Sequence, residues 1–226
     1  MNKFVPIFNL NLFGYNFGVT YNLLMQWIIM IIITIGVIVL TRNLNKVPNR
    51  RQVVVELIVN TINNLVKDNM GKEFVSYVPY VGTLCIYILL MNITGLFGLR
   101  PPTQDFNVGL GLALISFFVI QFTAIKKNGI GSYVGGYFKP YVALVPLNLI
   151  DRVMIPVSLS LRLFGNMTAA VVVTDLVYTG LGHLSWFAML ALPIPVHFFF
   201  DVFDAGIQMV VFVMLTMINI KIISEH

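Results

Sequence analysis

One arginine lies deep within an otherwise apolar stretch of the sequence. Arg162 stands near the middle of the run that covers residues 142–181. An ionised side chain in such a run is costly to place in lipid, and by default it marks an ion pathway or a functional ion pair. Ser158 and Asn166, at i−4 and i+4, share its helix face but are neutral. The cation therefore predicts a carboxylate partner on another helix or on another subunit.

A second polar group lies in the last apolar run. His197, Asp201, Asp204 and Gln208 follow one another at helical spacing, which predicts one continuous polar stripe among phenylalanines and valines. Two carboxylates and an imidazole on one wall suit the passage of protons or cations. His197 by itself also fits an interfacial loop, because two prolines precede it. We predict that ion translocation uses Ser158, Arg162, Asn166, His197, Asp201, Asp204 and Gln208.

The composition indicates that the membrane is the solvent of this chain. Its 226 residues are 58% hydrophobic and 10% charged, whereas soluble domains carry roughly a quarter charged residues. The net charge of +5 arises from basic residues between the apolar runs, which indicates membrane topology and argues against nucleic acid as a partner. The sequence has no phosphate-binding loop, zinc-protease motif or nucleophile elbow. We expect no catalytic site, cofactor or metal.

Apolar runs at residues 23–40, 77–97 and 108–124 are long enough to cross a membrane as helices. Residues 41–72 predict an amphipathic helix at the interface, and residues 126–140 predict a flexible basic loop because glycines and lysines alternate there. Excess Lys and Arg puts these two segments in the cytoplasm and the turn at residues 98–107 on the outer side. The segment 1–20 is then external.

Two further runs, residues 142–181 and 185–223, would each be roughly 60 Å long as helices, about twice a membrane thickness. Each is either a helical hairpin or one long, strongly tilted helix, and both alternatives put the C-terminus in the cytoplasm. Gly165 and Gly206 would permit close helix approach. Because no internal repeat is present, we treat residues 1–226 as one membrane domain, with 142–223 as a helix pair.

Five stretches, in this order, resemble subunit a of F-type ATP synthases. The most characteristic stretch is residues 158–167, and the others agree over nearly the whole chain. The stretches read VPNRRQVVVE (47–56), PPTQDFN (101–107), VPLNLI (145–150), SLSLRLFGNM (158–167) and QMVVFVMLT (208–216). The resemblance implies an all-α integral membrane protein with about five transmembrane helices and one interfacial helix. It also implies that the last two helices are long and tilted.

The resemblance further implies a stator channel subunit without catalytic activity of its own. Arg162 would face the ion-binding carboxylate of a rotating ring of c subunits and separate two offset half-channels. The other expected partners are peripheral-stalk b subunits, the rest of the ATP synthase and membrane lipid. The expected location is the bacterial plasma membrane, with the N-terminus outside. The coupling ion stays open between proton and sodium, because the ring's binding site mainly sets it.

The chain departs from the family pattern at two positions. Asn166 and Gln208 match, but Val171 replaces the Glu or His that the outer half-channel pairs with position 201, which is Asp201 here. We therefore expect Asp201 and Asp204 to serve that half-channel. Ile155 replaces a lysine that often precedes the motif's proline, so the cytoplasmic exit is expected to differ as well.

Two other functions compete with this interpretation. A secondary cation transporter could use Arg162 with Asp201 and Asp204 as an internal ion pair, but it predicts inverted repeats and a helix broken at the midplane. An intramembrane hydrolase could use Ser158 or Ser160 with His197, but no sequence context for an oxyanion site accompanies them.

Overall fold

The computed structural model describes residues 8–12, 15–42, 49–137, 145–182 and 193–225. The first described element is a β-hairpin, in which β1 (Phe8–Leu12) pairs antiparallel with β2 (Tyr15–Val19) and Phe8 lies opposite Val19. The sequence analysis predicted only an external segment here. Apolar residues alternate with asparagine along β1, a pattern typical of a strand that could have predicted it.

Helix α1 (Tyr21–Thr41) is the first membrane-crossing helix. Only Met25 and Ile29 are buried within the chain, whereas Ile31 and Ile35 are more than half exposed. An apolar helix with so little protein contact is suited to lipid, so α1 confirms the predicted first span.

Helix α2 (Arg50–Asn69) confirms a helix within the predicted segment 41–72. Its second half packs on the core through Ile62, Leu65 and the buried Val66, while Leu57 near its middle is 64% exposed. At its C-terminal end the Lys221 Nζ donates a hydrogen bond to the Asn69 carbonyl at 3.5 Å. A cation there complements the negative end of the helix dipole.

A 3₁₀ turn (Lys72–Tyr77) leads into α3 (Val78–Ile93), and a second one (Thr94–Phe97) ends it, so that 72–97 forms the second crossing. A short 3₁₀ turn (Pro102–Gln104) then connects to α4 (Phe106–Tyr137). Hydroxyl groups join these helices, with Tyr77 to Thr123 at 2.7 Å and Tyr80 to Ser116 at 2.9 Å.

The predicted flexible loop at 126–140 is wrong for the residues up to 137, since α4 continues through them with a kink at Gly129. The backbone at Gly129 has φ 75° and ψ 155°, which only glycine adopts readily. Beyond the kink the Tyr133 hydroxyl bonds to Gln121, although these residues would lie about 18 Å apart along a straight helix. The segment therefore folds back on α4. Lys139 and Pro140 lie outside the described residues.

The next run forms one helix, α5 (Val145–Gly182), of 38 residues and about 57 Å. The hairpin alternative is therefore wrong for this run. Pro156 lies inside α5 and lacks a backbone donor just before the motif at 158–167.

The last run is also continuous where the structure describes it. A short α6 (Pro193–His197) leads through a π-helical segment (Phe198–Asp204) into α7 (Ala205–Glu225). Residues 183–192 lie outside the described part of the chain. The tilt of these helices in a membrane stays a prediction.

The core lies where α4 packs on α5 and α7, and where α3 packs on α7. A Cβ atom on Gly109 of α4 would lie 3.2 Å from the Ser160 carbonyl of α5, so glycine allows the two backbones to approach closely. Fully buried apolar side chains fill this region, among them Ile88, Met91, Ile120, Leu163, Phe212 and Met217. Within the described ranges five helices are long and apolar enough to cross a membrane, and the chain is an all-α integral membrane protein apart from the hairpin β1–β2.

Candidate ion-translocation site

Arg162 projects from the middle of α5, and its residue is half-buried. One turn earlier Ser158 is exposed on the same helix face. Among the described residues no Asp or Glu forms an ion pair with the Arg162 guanidinium. The carboxylate partner that the sequence predicted on another helix of this chain is therefore not found, and a partner outside the chain remains.

The surface beside Arg162 is open. Leu161 is 51% exposed, and a Cβ atom built on Gly165 would meet nothing within 4 Å. Gly206, on α7, has the same open surroundings. The prediction that these two glycines permit close approach between helices is thus wrong within the described part of this chain. They lie instead on surface that a partner could cover.

Asn166 and Gln208 connect α5 to α7. The Asn166 Nδ2 donates to the Gln208 Oε1 at 2.6 Å, and Gln208 is only 1% exposed. The Gln208 Nε2 is also buried, and no acceptor for it lies within the described residues. These two predicted residues therefore form one amide pair, one helical turn from Arg162 on α5.

His197 and Asp201 form a second pair, at the start of the last helical run. The His197 Nδ1 lies 2.7 Å from the Asp201 Oδ2, and the His197 Nε2 lies 3.0 Å from the Tyr178 hydroxyl near the end of α5. The alternative that His197 lies in a loop is wrong, because it ends α6 and continues into the π-helical segment. No pattern in the sequence pointed to Tyr178, since it precedes His197 by a long connection.

Gly95 closes the other side of Asp201. A Cβ atom on Gly95 would lie 2.8 Å from the Asp201 Oδ1, closer than real Cβ contacts. Gly95 belongs to the 3₁₀ turn after α3, so the carboxylate packs directly against backbone from the second crossing. Nothing in the sequence pattern predicted that Gly95 would contact Asp201.

The π-helical segment divides the predicted polar stripe. Its i→i+5 turn is wider than an α-helical turn, so residues after it are rotated relative to those before it. His197 and Asp201 still meet, but Gln208 faces Asn166 and not this pair. Asp204 is half-buried at the end of the segment. The residues of the predicted stripe thus form two hydrogen-bonded groups, and both of these groups contact α5.

A further polar pair lies at the turn between α3 and α4. Asn92 and Thr103 are both fully buried, and the Thr103 hydroxyl donates to the Asn92 Oδ1 at 2.8 Å. Asp105 accepts bonds from the Asn22 side chain and from the Asn107 N–H, both at 3.0 Å, which ties α1 and the start of α4 to this turn. These contacts fix the segment that carries Gly95.

At positions 171 and 155, where the sequence departs from the family pattern, the side chains are apolar. Val171 and Ile155 lie half-buried on α5. Within the described ranges no group of three His, Cys, Asp or Glu side chains could hold a metal ion. What the site offers is one cation, an amide pair, and a hydroxyl, an imidazole and a carboxylate in hydrogen-bond contact.

The chain is similar to known membrane proteins over most of its length. Residues 23–221 match the family model described as ATP synthase A chain. The sodium ion specific ATP synthase subunit a of Propionigenium modestum is 31% identical over 92% of this chain and 75% of its own length. ATP synthase subunit a of Moorella thermoacetica is 35% identical over 84% of each chain. That of Desulforamulus reducens is 32% identical over 90% of this chain and 79% of its own.

Proposed function

The chain belongs to the ATP synthase A chain family and is a membrane-sector ion-channel subunit of an F-type ATP synthase, and from this premise we propose how it carries ions. Protons or sodium ions reach the carboxylates of a c-ring through one half-channel and leave them through another. Arg162 is the charge barrier between the two. Ion flow through them turns the ring and couples to ATP synthesis.

The observation that carries this proposal is the isolation of Arg162. A guanidinium that stays charged in the middle of a membrane-crossing helix requires a counter-charge, and among the described residues this chain offers none. A ring carboxylate supplies it. The fixed cation attracts an empty carboxylate and disfavours a loaded one, so each site discharges as it arrives.

The outer half-channel is supported by the polar groups of α5 and the last helical run. His197 and Asp201 lie towards the outer end, and the Asn166–Gln208 pair lies deeper, beside Arg162. An unsatisfied buried amide is costly, so the Gln208 Nε2 favours a path that holds water. Asp204 lies between the two groups in sequence and completes the route.

The partners follow from the open surfaces. Leu176 on α5 and Phe203, Ile207 and Val210 on the last run are between 44% and 65% exposed, and we assign this face to the c-ring. The exposed sides of α1 and α2 are left for lipid and for peripheral-stalk b subunits. From the five candidate spans among the described residues we infer termini on opposite sides, and we assign the C-terminus to the cytoplasmic side of a bacterial plasma membrane.

The decisive variant is Arg162→Ala, assayed as ATP-driven ion uptake in inverted vesicles that contain the whole complex. We expect uptake to fall to background while the detached catalytic sector still hydrolyses ATP. Each ion stores only about 2.3 kcal/mol per 100 mV, so a leak at the barrier uncouples the enzyme. Media with and without sodium identify the coupling ion.

Arg42→Ala is the matched control. Arg42 is exposed at the end of α1, so this substitution removes the same charge from a different helix. Its uptake should equal that of the wild type. Normal uptake by Arg162→Ala would refute the charge barrier and favour a transporter with internal ion pairing.

A further inference from the structure

We propose that Tyr178 is a positioning residue of the outer half-channel, holding His197 so that protons pass through its imidazole to Asp201. Gly95 leaves the space that Asp201 needs. This inference rests on the proposed function and names both the ion and the route at its outer end.

The first step is the geometry of the hydrogen-bonded chain. Both ring nitrogens of His197 are engaged, Nε2 by the Tyr178 hydroxyl at 3.0 Å and Nδ1 by the Asp201 Oδ2 at 2.7 Å. The two rings are tilted by 53° with their centroids 5.7 Å apart, so they do not stack face to face. A carboxylate only accepts hydrogen bonds, and the neutral ring therefore carries its proton on Nδ1 when Asp201 is ionised.

The second step is the movement of one proton. The Tyr178 hydroxyl first gives up its hydrogen bond to Nε2, a proton from the outer side then binds to that nitrogen, and the imidazolium releases its Nδ1 proton to the Asp201 carboxylate. The ring is left neutral with a proton on Nε2, and it must rotate or exchange that proton before the next passage. A tyrosine hydroxyl can donate to a bare Nε2 or accept from Nε2–H, so it holds the ring in either state.

The third step is accessibility. Tyr178 is 37% exposed, and the side chains of His197 and Asp201 are 31% and 14% exposed. The His197 side chain is thus more accessible than the Asp201 side chain, in the direction in which protons would enter. An imidazole accepts and releases protons, so its place between the entrance and Asp201 favours protons over sodium as the ion.

The fourth step is the backbone at Gly95, which forms the wall behind Asp201. The Asp201 Oδ1 lies where a side chain at position 95 would begin, 2.8 Å from a Cβ atom there. Any residue larger than glycine must therefore push the carboxylate aside. Since the carboxylate is the mobile end of its side chain, the helices can stay in place while the bond to His197 is lost.

Tyr178→Phe in the whole complex tests the hydroxyl. We expect proton uptake per assembled complex to fall about three- to tenfold, the effect of losing one positioning hydrogen bond. Tyr80→Phe is the control, because it removes an interhelical hydroxyl contact with Ser116 away from the site. It should leave the uptake rate unchanged.

A double variant distinguishes a positioning role of Tyr178 from a purely structural one, because only a positioning role depends on His197. His197→Gln should slow uptake more strongly than Tyr178→Phe, because an amide does not relay protons. Adding Tyr178→Phe to His197→Gln should then change nothing further. An undiminished additional loss in the double variant would overturn the inference, and so would wild-type uptake by Tyr178→Phe alone.

Gly95→Ala supplies an independent test that keeps every ionisable group. It should slow uptake without lowering the yield of assembled complex, whereas Gly111→Ala, whose Cβ atom meets nothing within 4 Å, should not. Wild-type uptake by Gly95→Ala would overturn the role of this wall. Uptake that requires sodium in the wild type would overturn the proton route.

Failure of this inference is distinguishable from failure of the proposed function. If Arg162→Ala abolishes uptake while Tyr178→Phe and Gly95→Ala leave it normal, the channel subunit stands and only the relay is refuted. If Arg162→Ala retains uptake, the charge barrier itself is refuted.

Discussion

At the scale of single residues, the chemistry of this protein depends on how polar side chains are paired inside an apolar environment. Asn166 satisfies only the carbonyl oxygen of the buried Gln208. Arg162, by contrast, has no carboxylate partner in the described chain. The first arrangement holds two helices together, and the second leaves a charge available to another subunit.

Variants of the Asn166–Gln208 pair should have different effects on the stability of the protein and on ion uptake. Asn166→Ala should destabilise the protein by about 1–3 kcal/mol, because it leaves the buried Gln208 oxygen without a donor. Thermal unfolding of the purified complex in detergent would measure this change.

Replacing both partners, Asn166→Leu with Gln208→Leu, should restore much of that stability, since no unpaired polar group remains. Ion uptake should stay low in the double variant if the pair lines the half-channel. A double variant that regains uptake together with stability would show that the pair is only structural.

At the scale of elements, two irregular helical segments decide where side chains meet. The π-helical segment (Phe198–Asp204) separates the His197–Asp201 pair from Gln208, and the kink at Gly129 folds the end of α4 back on itself. Beyond that kink Tyr133 reaches Gln121, and the Arg152 guanidinium lies 5.8 Å from the Tyr133 ring centre on the side of α5. The kink thus links α4 to the start of α5.

Gly129→Ala should therefore cost about 1–3 kcal/mol, because a Cβ atom is strained at φ 75° and ψ 155°. Gly131→Ala is the comparison, since it lies in the same segment with open space around its Cβ position and an ordinary φ. Unfolding temperatures of the two variants in detergent provide the measurement. Equal values for both would contradict a requirement for positive φ at position 129.

At the scale of the whole molecule, topology follows from charge and from the number of crossings. Five candidate spans put the turn before α4 on one side of the membrane and the basic end of α4 on the other. The single cysteine, Cys85, is buried, so wild-type chain should react little with a membrane-impermeant maleimide.

We therefore expect Leu99→Cys to be labelled only from the outer side and Lys126→Cys only from the cytoplasmic side. Both positions are exposed in the structure. Right-side-out and inverted vesicles allow the two reactions to be compared directly. Labelling of both positions from the same side would contradict the proposed topology.

The sequence by itself determined that the membrane is the solvent of this chain, and the resemblance to the family added about five crossings. The role of Arg162 in ion translocation stays a prediction. The thickness and apolarity of the bilayer set the composition and the length of the apolar runs, whatever the tertiary structure. A charge such as Arg162 is easily recognised in any apolar run. The local signals for α1, α2 and α3 were likewise sufficient, whereas the run that forms α5 left a helical hairpin and one long helix as alternatives.

Only the tertiary structure decided which polar side chains touch. Tyr178 meets His197, and Gly95 meets Asp201, across connections that no local period spans. The π-helical segment before Gln208 departs from the one constant turn that the helical pattern assumed. The kink at Gly129 replaced an expected loop, since glycine permits both and only packing selects between them.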